Sequence, residues 1–360
     1  MDGGRAARAG SRAPGAEEDE MVGMPAAVLV DEGTLAITER PRPRIRRSGD
    51  VLIDVEACGI CGTDLHILSR PPGHPCRLGV VLGHEFVGIV AEVGTEVKSL
   101  RPGDRVVVEP NVACGSCRWC HRGLVSHCEH FTTHGIFIDG GLAPQVAVTA
   151  RACHRIAHSV PAHLAALAEP LSCVVNGARL AAIQPGEAVV VVGAGPIGLL
   201  FCALLDLAGA TVVAVEPSPL RRSLALTMGA VAALDPEADD VCGRVLDITG
   251  GFGADVTIDA VGSQMAICLD LVRKGGRVVL FGIDTQARAQ ICQARITRDE
   301  IRVLGAYVGR NVFPSAVRLL EQGRLDLEPM VTHRVHLEQL PWALDRLRAG
   351  KAAKVIVELH

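Results

Sequence analysis

Aromatic side chains are scarce in this chain, making up 3% of 360 residues with two tryptophans and one tyrosine. Its cores must therefore be built from aliphatic groups. Lysine is nearly missing too: only Lys98, Lys274, Lys351 and Lys354 occur, and arginine carries the remaining positive charge. No uninterrupted apolar stretch reaches the roughly 18 residues that a membrane-spanning helix needs. The longest runs from about Ala188 to Leu205 and is broken by three glycines and a proline. Basic tracts are absent beyond the first fifty residues, and the net charge is only −4, so no nucleic-acid footprint is expected. A secretory h-region is lacking as well.

The length suits two domains of ordinary size. Hydrophobic residues at 49% and charged residues at 21% give a soluble globular balance. Residues 1–23 are rich in Gly, Ala, Arg and acidic side chains and read as a disordered tail, with Met21 or Met24 as alternative starts. Thirteen cysteines without a secretion signal point to metal binding, reduced thiols and a cytoplasmic setting.

Two styles follow one another along the chain. From Pro25 to about Arg155, short strand-like runs (51–55, 87–93, 105–108) alternate with Gly/Pro turns. From about Pro185, strand-like runs (188–192, 211–215, 255–259, 277–281) alternate with helical stretches (196–208, 220–228, 263–271), the pattern of βαβ units and a parallel sheet. Two helical segments, 314–322 and 337–349, and a strand-like 354–359 close the chain.

Cys114, Cys117, Cys120 and Cys128 have the spacing C-x2-C-x2-C-x7-C. Four thiolates at this density can close a tetrahedral shell around Zn²⁺ with no open position, which makes the site structural. Iron–sulfur ligation is the alternative. Against it, the usual proline after the last cysteine is missing and no second cluster motif follows. The neighbouring His121, His127, His130 and His134 read as surface or supporting groups.

Gly193-Ala-Gly195-Pro196-Ile197-Gly198 follows one strand-like run and opens a helix-like one, the context that a dinucleotide fingerprint requires. Gly193 allows the tight turn, Gly195 the approach of a pyrophosphate, and Gly198 close helix–strand packing. Glu216 ends the next strand, where a carboxylate accepts hydrogen bonds from ribose hydroxyls and repels a 2′-phosphate; this favours NAD over NADP.

Two stretches remain, Cys58-Gly-Ile-Cys61-Gly-Thr63-Asp64-Leu-His66 and Gly83-His84-Glu85. With the four-cysteine segment and the glycine motif, in that order, the chain resembles the zinc-containing medium-chain dehydrogenase/reductase family over about residues 24–360. Ala168-Glu169-Pro170-Leu171-Ser172 resembles the motif of its sorbitol and polyol dehydrogenase branch. The resemblance implies an α/β fold in two parts. A GroES-like, β-rich catalytic domain would span 24–175 and 311–360, with a structural zinc lobe at 109–130. A Rossmann domain with a doubly wound parallel sheet would span 176–310.

It also implies a catalytic zinc held by Cys61 and His84, with Glu169 binding directly or through water, and Glu85 beside the metal as a supporting group or transient ligand. Members that resemble liver-type alcohol dehydrogenase use a cysteine where this chain has about Val175, so that ligand is missing, and Cys173 is out of register. Cys58 becomes a packed thiol and Asp64 a structural hydrogen-bonding group. By the same resemblance, Thr63 takes the alcohol proton and passes it, by way of the nicotinamide ribose, toward His66. Ile197 and Arg221 lie along the cofactor, and Phe281-Gly282-Ile283 approaches the nicotinamide.

The expected activity is oxidation of a small secondary alcohol, polyol or sugar-like, to the ketone, in a homodimer or homotetramer. The Arg-Tyr pair of sorbitol-type enzymes falls at Val308 and Gly309, and a common aromatic after the relay histidine falls at Ile67. Both departures point away from sorbitol itself. L-threonine 3-dehydrogenase-like and amino-cyclitol dehydrogenase activities are the alternatives. A catalytically silent zinc- and nucleotide-binding subunit would be marked by loss of Cys61, His84 or Thr63, and all three are present.

Overall fold

The structure, a computed structural model, describes residues 23–359. The expected N-terminal tail thus lies outside the described residues, except Gly23, which opens the strand Gly23–Asp31.

The nucleotide-binding half is a six-stranded sheet in the order Ala232–Leu234, Thr211–Val215, Ala188–Val192, Ala254–Asp259, Val272–Leu280, Arg302–Gly305. Every pairing in it is parallel. In chain order this reads 3-2-1-4-5-6, so the winding reverses between Ala188–Val192 and Ala254–Asp259. The inner strand Ala188–Val192 is almost pure valine because helices bury both of its faces.

The catalytic half is a seven-stranded sheet built on the long strand Asp50–Gly59. That strand pairs antiparallel with Glu85–Val93, Gln145–Thr149 and Lys354–Glu358. The chain's end therefore returns to this sheet, where Val331–His336 runs parallel to Lys354–Glu358.

The helix Ala168–Ala181 runs across position 175, where the sequence suggests a domain boundary, and packs on Pro196–Leu207 and Phe313–Gln322. Pro170 is tolerated in its first turn, where backbone N–H groups have no intrahelical partner anyway. The sequence pattern also misses the hairpin of Gly23–Asp31 with Thr34–Pro41 and the helix Val241–Ile248. It starts the fifth strand at 277, whereas the strand opens at Val272, which pairs with Ala254, and regular pairing resumes at Arg277 after an irregularity.

Candidate active site and metal centres

Cys117 caps the short helix Arg118–His121, which turns Cys120 back toward Cys114 and Cys128. The sulfurs lie 4.0 Å (Cys114–Cys120), 3.6 Å (Cys117–Cys120) and 3.9 Å (Cys117–Cys128) apart. A tetrahedral shell with metal–sulfur bonds of about 2.3 Å has edges of about 3.8 Å, so the spacing fits zinc. The backbone supplies N–H donors to the sulfurs: Cys114 to Cys128 at 3.2 Å, Ser116 to Cys114 at 3.4 Å and His130 to Cys128 at 3.3 Å. The Ser116 amide and hydroxyl pull the Cys114 thiol down to about 5. Desolvation and the neighbouring Cys117 sulfur push Cys120 up to about 11. Four thiolates this close need a cation between them.

His121, His127 and His130 are exposed, as expected of surface groups. His134 departs from that expectation: it is buried, and its Nδ1 lies 2.9 Å from the Asp139 carbonyl. Its place is set by the turn that pairs it with Ile138, not by the metal.

The second metal group forms where two chain segments meet. Cys61 caps the helix Gly62–Ile67, and Asp64 Oδ2 accepts the Cys61 N–H at 2.9 Å. Glu85 begins the strand Glu85–Val93, and its register partner is Gly59, two residues before Cys61. The ligand atoms of Cys61, His84 and Glu85 consequently lie within 4.8 Å of one another. His84 Nδ1 is 3.7 Å from Asp64 Oδ1, too long for a hydrogen bond, and both atoms are buried without a partner. Burial opposes charge on His84, but Cys61 and Asp64 outweigh it and raise its pKa well above the ordinary value. A half-buried thiol beside a buried imidazole and carboxylate, with orphaned polar atoms, fits a bound cation.

Glu85 is the third donor grouped with Cys61 and His84, and Glu169, which the resemblance makes a ligand directly or through water, is not in that group. Glu169 lies on the other wall, in the first turn of Ala168–Ala181, where its carboxylate accepts from the Cys173 thiol at 3.5 Å. Burial raises its pKa to about 7, with His84 pulling the other way. Cys173 is held by that bond and is not one of the three grouped donors. Cys58 is a packed thiol, fully buried. Thr63 and His66 stand three residues apart on one helical turn, so their side chains share a face. Thr63 is half-buried and His66 exposed.

Lys354 carries no motif that marks it in the sequence. Its Nζ forms an ion pair with Glu85 and donates to the Ile60 carbonyl at 2.9 Å, and both charged side chains are 1% exposed. The available signal is one lysine inside the apolar run Ala352-Ala353-Lys354-Val355-Ile356-Val357, since a buried lysine nearly always has a partner.

The three glycines of the fingerprint have distinct environments. Gly193 has φ 94°, a backbone only glycine adopts freely. A Cβ on Gly198 would lie 1.9 Å from the Gly193 carbonyl, so close packing forbids any side chain there. A Cβ on Gly195 would meet nothing within 4 Å, which leaves approach space at the N-terminus of Pro196–Leu207. That 12-residue helix has no side-chain cap, so its first N–H groups face this space. Glu216 is buried beneath the loop and accepts from the Ala194 and Ser218 amides at 2.8 and 2.9 Å. Ile197 and Arg221 are half-buried nearby, and Arg221 Nε has no partner. Phe281-Gly282-Ile283 is a loop beyond the strand Val272–Leu280. Phe281 packs edge-on against Phe201 at 5.1 Å, whereas Ile283 is 58% exposed.

This two-domain arrangement has close counterparts among known proteins. Residues 47–158 match the alcohol dehydrogenase GroES-like domain, and residues 196–322 match the zinc-binding dehydrogenase family. The chain is 36% identical to an L-threonine 3-dehydrogenase of Pyrococcus abyssi, over 86% of this chain and 91% of the relative. It is 31% identical to D-arabinitol dehydrogenase 1 of Uromyces fabae, over 86% and 90%. A zinc-binding dehydrogenase from Sinorhizobium meliloti, solved with NADP bound, superposes with a TM-score of 0.89 at 34% identity, covering 94% of this chain and 99% of that one. The chain belongs to the zinc-binding medium-chain dehydrogenase family. It is a zinc-dependent alcohol dehydrogenase that works with a nicotinamide dinucleotide and a small-molecule alcohol.

Proposed function

We propose that this enzyme oxidises a polyhydroxylated secondary alcohol to the ketone, with NAD as the preferred hydride acceptor. The observation that carries the reading is the Cys61–His84–Glu85 group beside Thr63, its imidazole and carboxylate buried, with the Glu169 carboxylate on the facing wall and no cysteine at the liver-type position. Its likeness to a D-arabinitol dehydrogenase supports a polyol substrate. When bound, zinc at this group supplies an electrophile that acidifies the substrate hydroxyl, and the nicotinamide accepts hydride.

The chain's own residues do the rest. Asp64 fixes the Cys61 backbone, and its carboxylate stands beside the buried imidazole of His84. Lys354 balances the Glu85 charge inside the core. Thr63 accepts the alcohol proton at its hydroxyl oxygen in this reading, which its half-buried place two residues from Cys61 supports. His66, exposed on the same helical face, can release a proton to water.

Glu216 supports NAD over NADP because its anchored carboxylate sits at the end of the second strand, where a 2′-phosphate would meet like charge. The NADP found in the Sinorhizobium meliloti relative makes this preference worth measuring directly. Assembly as a homodimer or homotetramer through the nucleotide-binding domain is proposed on the strand Arg302–Gly305, which lies at an edge of its sheet. No helix among the described residues is long and apolar enough to cross a membrane. All thirteen cysteines are free of disulfides, which supports a reducing, cytoplasmic setting.

A second reading, threonine oxidation, is favoured by the Pyrococcus abyssi relative. NADH formation with xylitol, sorbitol, L-threonine and 2-pentanol separates the two. The polyol reading expects the highest kcat/KM with a polyol and a preference for NAD over NADP. Threonine as the best substrate, or silence across the panel, would contradict it.

A further inference from the structure

We propose that Tyr307 is a specificity-determining residue of this site: its phenol, positioned by His127 of the cysteine lobe, hydrogen-bonds a hydroxyl on a substrate carbon remote from the one oxidised. The inference rests on the polyol reading above and assigns the residue that recognises the extra hydroxyls.

Tyr307 is the chain's one tyrosine, and 41% of it is exposed. It lies two residues past the strand Arg302–Gly305, at the carboxyl ends of the parallel strands, where open α/β sheets bind their ligands. One face of its ring is taken. His127 stacks on it at 6.3 Å between centroids with 23° between the planes. His127 in turn meets Trp119 edge-on at 6.4 Å, and Trp119 lies between Cys117 and Cys120. A column of three rings thus runs from the four-thiol shell to the phenol.

The loop that carries Tyr307 is held in one conformation from several sides. Val308 has φ 43°, a left-handed backbone that a β-branched residue adopts only when its surroundings impose it. The imposing contact is Asn176, 1% exposed, whose Nδ2 donates to the Val308 carbonyl at 2.7 Å. Asn311 Nδ2 donates to Gly123 in the cysteine lobe at 3.4 Å. A Cβ at Gly309 would lie 2.5 Å from Ser172 Oγ, so this loop backbone presses on the helix that carries Glu169. On that helix the Cys173 thiol donates to Glu169 at 3.5 Å.

Tyr307 is therefore tied on one side to the lobe and on the other to the wall of the metal group. Val308 and Gly309 contribute no polar side-chain atom. Burial, and then the nearby Cys173 sulfur, push the phenol upward, so at neutral pH it keeps its proton and can donate. A site built to bond a substrate hydroxyl discriminates strongly against the analogue that lacks it.

The test compares xylitol with 2-pentanol, which has the same chain length and no extra hydroxyls. kcat and KM would be measured for the wild type, Tyr307→Phe, His127→Ala and His127→Phe, with zinc counted per chain. Tyr307→Phe keeps the ring and loses only the hydroxyl. The ratio of kcat/KM for xylitol over 2-pentanol should fall about tenfold, carried by the KM for xylitol. His127→Ala should lower the same ratio with both zincs retained, and His127→Phe, which can still stack, should restore it. An unchanged ratio in Tyr307→Phe, in a wild type that oxidises both substrates, overturns this inference alone. An unchanged ratio in His127→Ala overturns the positioning role. A wild type that oxidises neither substrate overturns the polyol reading and this inference with it.

Discussion

Glu85 and Lys354, each 1% exposed, hold an ion pair inside the catalytic sheet, next to the thiol and imidazole of the metal group. Removing one partner of such a pair leaves an uncompensated buried charge, which is far more costly than the pair is stabilising. Lys354→Met should therefore lower the unfolding free energy by about 3–5 kcal/mol, read from urea denaturation of the protein with its catalytic zinc removed. A loss under about 1 kcal/mol would mean that Glu85 finds another partner or takes up a proton. At this scale the sequence is only partly legible. Cys61 and His84 stand in compact motifs, and the residues on either side are enough to single them out. The closeness of Glu85 to Cys61 depends on strand register: Gly59 opposite Glu85 brings that carboxylate to Cys61, and nothing local in the sequence states this pairing. Lys354 reaches the site from a strand nearly 270 residues downstream of Glu85, and no motif spans that distance.

Among the elements, the glycine turn and its helix are the most legible in the sequence, because each glycine answers a local steric demand. Two of them make a contrasting pair. Gly198→Ala would set a methyl group 1.9 Å from the Gly193 carbonyl, so turn and helix must separate. We expect a stability loss of about 1–3 kcal/mol together with weaker NADH binding. Gly195→Ala meets nothing within 4 Å in the protein and should leave the melting temperature of the nucleotide-free protein nearly unchanged while still weakening NADH binding. Calorimetric melting and NADH titration of both variants check this, and equal melting temperatures for the two would contradict it. Elements with mixed signals escape the sequence pattern. Ala168–Ala181 contains Pro170 and Gly177, which read as breakers, yet the proline falls where no N–H is needed and the glycine gives room to Phe281. Val272–Leu280 hides its start behind Lys274-Gly275-Gly276.

For the whole molecule, composition and the order of motifs are enough to imply two domains of different style, and the sheets agree: one antiparallel at its centre, one wholly parallel in the order 3-2-1-4-5-6. The return of the C-terminus into the first sheet follows from the family resemblance. The helix shared between the halves does not, because packing between distant segments leaves no periodic trace. The two metal groups have separate roles in this architecture. Four thiols close a shell in the lobe, whereas Cys61, His84 and Glu85 offer three donors beside Thr63. The most direct measurement counts zinc per chain in the wild type and in Cys61→Ser, alongside NAD-linked oxidation of xylitol. The account predicts two zincs and turnover in the wild type, and one zinc, a folded chain and turnover lower by orders of magnitude in Cys61→Ser. A variant that keeps both zincs and wild-type turnover would contradict it.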